Sequence, residues 1–144
     1  MKLVVTIFLS VILAKSCNTQ QHDEMKKANI EYQAVSRGYY LAINIQNDLL
    51  TIANKRDAAP KEYKLSDSER DALSKLFLDL KLDALSTYEG PTQKRFYDGA
   101  PIANMRVVYE GKTYETQSFD HGYPPKEIEA FVNKIVSFSN PAAE

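Results

Sequence analysis

The segment FDHGYPP, residues 119–125, places an aspartate, a histidine, a glycine and two prolines side by side. Asp120 and His121 are residue types that do acid–base chemistry or hold metals. A histidine titrates near neutrality and can act as a general base. It then needs an orienting carboxylate and a pocket for substrate. Asp98, in FYDGAP, is the second carboxylate in reach of such a design. If residues 103–119 form a hairpin, its two ends meet, and Asp98, Asp120 and His121 would line one edge of a sheet. Lys94 and Arg95 would stand close by, and Arg37 could reach in from an earlier turn. That constellation would serve a small hydrolase or lyase centred on His121.

The same residues also have backbone duties. Pro125 suits the first turn of a helix, where its missing N–H costs nothing, and it holds Pro124 extended. Gly122 permits a sharp bend, and Asp120 can close or cap a turn with its side chain. The sequence favours this reading, a strand-to-helix joint.

Other chemistries find no pattern. The histidines are His22 and His121 only, and no H-x-x-x-H or H-E-x-x-H spacing occurs, so no metal site is expected. EF-hand spacing is absent around Asp98. There is no G-x-S-x-G and no glycine-rich phosphate loop, so neither a serine nucleophile nor a nucleotide cofactor is expected.

The N-terminus reads as an export signal. Lys2 precedes an apolar run from Leu3 to Ala14, too short to span a bilayer and of the length of a signal-peptide core. Ala14-Lys15-Ser16 places small residues three and one before a cut. LAKSC also resembles a bacterial lipobox, with Ala14 where leucine is usual and Lys15 where a small residue is usual. Both patterns cut the same bond, which makes residues 1–16 the signal peptide. Cys17 is the only cysteine. It cannot form an internal disulfide, and lipidation at the new N-terminus gives it a purpose. The expected protein is exported to the periplasm, outer membrane or cell surface and held to the membrane through a lipidated Cys17.

Losing residues 1–16 removes Lys2 and Lys15 and leaves 16 basic against 19 acidic groups, a net of −3. The signs are mixed along the chain. No basic patch with interleaved aromatics appears, so nucleic acid is not an expected partner.

Residues 18–29 are polar and aperiodic and, with Cys17, read as anchor and tether (17–29). Residues 30–138 read as one domain and 139–144 as a tail. Residues 30–36 read as a first strand. Residues 39–46 alternate, with Tyr39, Leu41, Ile43 and Ile45 on one face. Asn47-Asp48 reads as a tight turn into a third strand over 49–55, and 56–65 reads as a connection. SDSE, residues 66–69, is a capping box for a helix over 67–80 that buries Leu73, Leu76, Phe77 and Leu80. A further turn is expected near 83–88, and 89–101 reads as irregular. Residues 103–119 read as a hairpin turning at Glu110-Gly111. Tyr114, Thr116 and Ser118 share one face of its return strand. A helix from Pro125 buries Ile128, Phe131, Val132 and Ile135. The expected fold is α+β: an antiparallel sheet of about five strands with two helices on one face, in the order β-β-β-α-β-β-α.

Nine tyrosines without a tryptophan suit half-buried sheet positions and recognition surfaces alike. Tyr40 and Tyr97, with Arg37 and Arg95, are the candidate binding residues.

The blocks SRGYYLAINI, KRFYDGA and SFDHGYPPKEIEAFVNKI resemble those of small exported lipoprotein-like proteins of Bacteroidetes, mostly uncharacterised. The resemblance covers roughly residues 32–136. It implies an exported lineage and no particular activity, and it picks out Arg37, Gly38, Asp98, Gly99, Asp120, His121, Gly122 and Pro124. The function expected is a binding or envelope accessory module that recognises a protein or glycan, an inhibitor of an extracellular hydrolase being one form.

Overall fold

The computed structural model describes residues 23–140. The stretch expected to be a signal peptide (1–16), Cys17, the first residues of the expected tether (18–22) and residues 141–144 lie outside them. Alternating burial builds the sheet. Strand β1 (Ala28–Val35) sends Ala28, Ile30, Tyr32 and Ala34 inward. It pairs antiparallel with β2 (Tyr40–Gln46), setting Ile30 opposite Ile45, Tyr32 opposite Ile43 and Ala34 opposite Leu41. Asn47 and Asp48 both take positive φ, 51° and 64°. Asn and Asp tolerate that region best after glycine, and the primed geometry matches the twist of the strands. Strand β3 (Leu49–Ala53) follows, with Leu50 and Ile52 facing the same core.

The connection expected over 56–65 contains a fourth strand instead, β4 (Lys61–Lys64), paired with β3. Its sequence KEYK is fully exposed and carries no alternation. Charged lysines on an edge strand deter pairing with other chains, and that charge is what hid the strand.

Helix α1 (Asp67–Leu78) begins with the expected capping box. The Glu69 N–H donates to Ser66 Oγ at 3.3 Å, and the Ser66 N–H donates to Glu69 Oε2 at 2.9 Å. Leu73 and Phe77 are buried, and Leu76 and Leu80 pack partly against the core. A 3₁₀ turn at Leu82–Thr87 buries Leu85, and a second at Lys94–Tyr97 interrupts the stretch expected to be irregular.

Strand β5 (Ile102–Tyr109) inserts beside β1 and turns at Glu110-Gly111 into β6 (Lys112–Glu115). The return strand is not continuous. Arg106 pairs with Glu115, but Ala103 pairs with Phe119 and Ile102 with Asp120 in a separate strand, β7 (Phe119–Asp120). The register slips by one residue between the two ladders, as at a β-bulge. The slip has a packing consequence. Continuous pairing would set Ser118 opposite Ala103, on the core side. With the extra residue, Phe119 takes that place and is fully buried. The expectation that Tyr114, Thr116 and Ser118 share one face therefore fails at Ser118.

A 3₁₀ turn (Lys126–Ile128) leads into helix α2 (Glu129–Ser137), which buries Phe131, Val132 and Ile135. The sheet order is β4-β3-β2-β1-β5-β6, with β7 also on β5. Among the described residues the fold is α+β and antiparallel, with seven strands rather than about five, and from β1 onward the order is β-β-β-β-α-β-β-β-α. Buried residues of both helices and of one sheet face form a single core. Among the described residues neither α1 nor α2 packs on the opposite face of the sheet. Residues 23–26 are helical and Met25 is buried, so the stretch 23–29 belongs to the folded part rather than to a tether.

Candidate functional site

Asp120 ends β7 and His121 opens the turn that follows, its N–H donating to the Pro101 carbonyl, and their side chains serve two different structures. Asp120 points to the side of Ile102, away from the helices, and is wholly buried beneath the 92–97 segment. Its carboxylate accepts four hydrogen bonds. Thr92 Oγ1 and the Lys94 N–H donate to Oδ2, both at 2.6 Å, and the Arg95 N–H and guanidinium donate to Oδ1 at 3.0 and 3.1 Å. The two N–H groups open the 3₁₀ turn Lys94–Tyr97, where backbone donors have no partner within the turn. Asp120 thus caps that turn from a distant strand. Burial pushes the carboxyl pKa up, but the bonds from Thr92, Arg95 and Lys94 outweigh it and hold the pKa at about 2.

His121 turns toward the core side. Tyr32 Oη lies 2.8 Å from Nδ1 and Tyr39 Oη 3.0 Å from Nε2. A neutral imidazole carries one N–H and one lone pair. One tyrosine therefore accepts from the ring while the other donates to it, whichever tautomer is present. Burial lowers the pKa of His121 and favours this neutral form. Burial also raises the pKa of both Tyr32 and Tyr39, so their hydroxyls stay protonated. A general base needs a free nitrogen aimed at substrate, and here both ring nitrogens are engaged.

Asp98 is exposed in the left-handed region (φ 59°) at the end of the 3₁₀ turn. It makes no hydrogen bond to Asp120 or His121 among the described residues. The structure thus joins Arg95 to Asp120 and leaves Asp98 and His121 outside that cluster. Among the described residues no group of three or more His, Cys, Asp or Glu side chains could hold a metal ion. No helix there is long and apolar enough to cross a membrane.

The clamp on 92–97 has a surface consequence. Phe96 and Tyr97 stand out from the clamped turn, each 72% exposed. The Arg95 guanidinium lies 4.4 Å from the Phe96 ring centroid. Lys94 Nζ donates to Tyr123 Oη at 2.9 Å, and Tyr123 closes back onto Asp120 through an isolated bridge. Tyr39, Ile102 and Tyr123 are also large and exposed, and all belong to this end of the sheet. The joint is sterically specified: Gly122 has φ 90°, and a Cβ on Gly90 would come within 2.8 Å of Phe119 Cβ.

Of the expected binding residues, Tyr97 stands in this aromatic tip and Arg95 holds its base. Tyr40 lies on the open sheet face with the Arg56 guanidinium 5.8 Å from its ring centroid. Arg37 is exposed in the β1–β2 bend. Sequence reasoning missed Phe96, Thr92, Tyr32 and Tyr39. KRFY was the available signal, because two adjacent aromatics in a polar loop cannot both be buried by a helical or strand period.

No family model, curated protein or solved structure gives a significant match to the chain.

Proposed function

We infer that the protein is a binding module that recognises a protein partner through the aromatic tip. The observation that carries this is the pairing of a buried clamp with exposed rings: Asp120 fixes the backbone that displays Phe96 and Tyr97. Apolar rings on a surface normally cost solvation, and a rigid base lowers the entropy lost when they are buried against a partner. Aromatics and arginine are the residue types that dominate protein interfaces. The tip also lies at the end of β1 opposite to the end the chain enters. β1 carries the chain from Ala28 to Val35, roughly 23 Å at the rise of a strand. With an exported chain held at Cys17, the tip would face away from the membrane and toward envelope or extracellular proteins.

A photo-crosslinking amino acid at position 97 tests this in the native host. The reading expects a discrete adduct from position 97 and from position 96, and none from exposed Leu78 on α1. Adducts of equal yield at all three positions, or none at 96 and 97, would contradict it. A hydrolase or lyase centred on His121 is the weaker reading, because the ring's two nitrogens are both bonded to tyrosines.

A further inference from the structure

The open face of the sheet holds a second feature, separate from the tip. Two rows of side chains cross β3, β2 and β1. Thr51, Asn44 and Glu31 form one row, and Ala53, Ala42 and Gln33 the next. Residues in a row are about 4.8 Å apart and the rows about 7 Å apart, as strand geometry requires. The two alanines stop at a methyl, so over β3 and β2 the second row lies lower than the first, with Gln33 rising at its β1 end. The result is a trough of about 470 Å³, walled by Tyr40 and by the β3–β4 loop with Lys55, Arg56 and Pro60. That volume is within the range of small-molecule sites.

The polar wall is already ordered. Asn44 Nδ2 donates to Asn29 Oδ1 at 2.7 Å, and Asn29 Nδ2 donates to Glu31 Oε1 at 3.3 Å. This leaves Asn44 Oδ1, Thr51 Oγ1 and the Gln33 amide without a hydrogen-bond partner among the described residues. The charges are not balanced. Glu31 is met by Arg106 at 3.6 Å. Arg56 donates to the Ser36 carbonyl at 3.0 Å, and neither Arg56 nor Lys55 faces a carboxylate among the described residues.

We propose that this trough binds an acidic saccharide, a hexuronate unit of a short glycan. The chair of a pyranose ring can lie its C–H face on Ala42 and Ala53. Its hydroxyls then meet the Asn44 carbonyl, the Thr51 hydroxyl and the Gln33 amide, and its carboxylate meets Lys55 and Arg56. A peptide fits less well. β2 is paired on both sides, so no backbone edge is open for strand addition, and the floor offers only two methyls where an apolar anchor needs a pocket.

The test is a titration of the isotope-labelled, purified full chain, followed through backbone amide shifts. The probes are a glucuronate-containing disaccharide, the neutral disaccharide cellobiose, and sulfate. The expected result is saturable shifts at Ala42, Asn44, Thr51 and Ala53 with the acidic sugar, and affinity for cellobiose about tenfold lower, one decade in Kd. Lys55→Ala should remove most of that preference, and Thr51→Val should weaken both sugars. Absence of saturable shifts with the acidic sugar overturns the proposal, as does equal affinity for cellobiose. Sulfate reproducing the same shifts at the same affinity overturns it too, because the site would then read charge alone. Shifts confined to Phe96 and Tyr97 would contradict the trough while leaving the tip as a binding surface.

Discussion

Two loops of this domain stand over the side of the sheet away from α1 and α2, and they are held in opposite ways. The 92–97 segment is fastened by a buried carboxylate with four donors. The β3–β4 loop is fastened by Arg56, an exposed side chain with one bond to Ser36 and a ring contact to Tyr40. A buried anchor has no ready exchange with water, so it restricts its loop and its loss is expensive. An exposed anchor competes with solvent at every moment. The first arrangement suits display of fixed aromatic rings, and the second suits a wall that adjusts around a small ligand.

The largest expected effect comes from removing the buried anchor. Asp120→Ala leaves the Arg95 guanidinium and two N–H groups without their acceptor, and should cost about 3–5 kcal/mol, the range for breaking a buried pair from one side. Urea denaturation measures it, and a loss below 1 kcal/mol would mean that Asp120 holds nothing. The pH dependence has a definite sign. The folded pKa of about 2 lies below the ordinary 3.8, so this stabilisation is complete above the unfolded value and fades as pH falls from about 4 toward 2. The variant should lack that acid limb.

Gly122→Val should come next, at about 2 kcal/mol, since φ 90° is open to glycine and strained for a β-branched residue. A Cβ there meets no atom within 4 Å, so the cost is conformational and Gly122→Ala should show much of it.

Ser66→Ala provides a yardstick. Ser66 and Asp120 do the same job, accepting from first-turn amides, but Ser66 is local and exposed. Its loss should cost about 1 kcal/mol, and an unchanged midpoint would refute the capping box. His121→Gln should have a smaller, pH-dependent effect. Burial depresses the folded pKa of His121 below the ordinary 6.5, so the wild type loses stability as pH falls through 6.5 toward the folded value. The variant should lose that slope below about pH 6.5. Arg56→Ala should change stability least, within about 0.5 kcal/mol. A loss approaching that of Asp120→Ala would erase the contrast between the loops.

The sequence disclosed the parts of this fold that rest on period and local chemistry. The capping box at Ser66 and Glu69, the turns at Asn47-Asp48 and Glu110-Gly111, and the buried face of α2 all depend on residues within one element. Strand β4 was hidden because an edge strand of sequence KEYK, exposed at every residue, has no buried face to show. The bulge before Phe119 was hidden because a one-residue slip is fixed by which side chain fits the core, Phe119 or Ser118, and no local signal states that. The candidate site followed the same division. That Arg95 would stand near Asp120 could be read from the ends of a hairpin, whereas Asp120 was expected to cap its own turn and instead accepts from amides some 25 residues away. That the amides would be those of Lys94 and Arg95, and that His121 would turn away to Tyr32 and Tyr39, depended on a strand register that was not yet known. The trough was invisible in advance, since its residues lie on three strands and matter only in rows.

The central claim is that Asp120 makes the 92–97 segment rigid enough to present Phe96 and Tyr97 in one pose. Native-state hydrogen exchange at the amides of Lys94 and Arg95 tests it most directly. With the clamp in place both N–H groups are buried donors, and they should exchange with protection approaching that of the core amides of β1, falling to loop-like rates in Asp120→Asn. Fast exchange of both amides in the wild type, at the rates of the β3–β4 loop, would contradict the account.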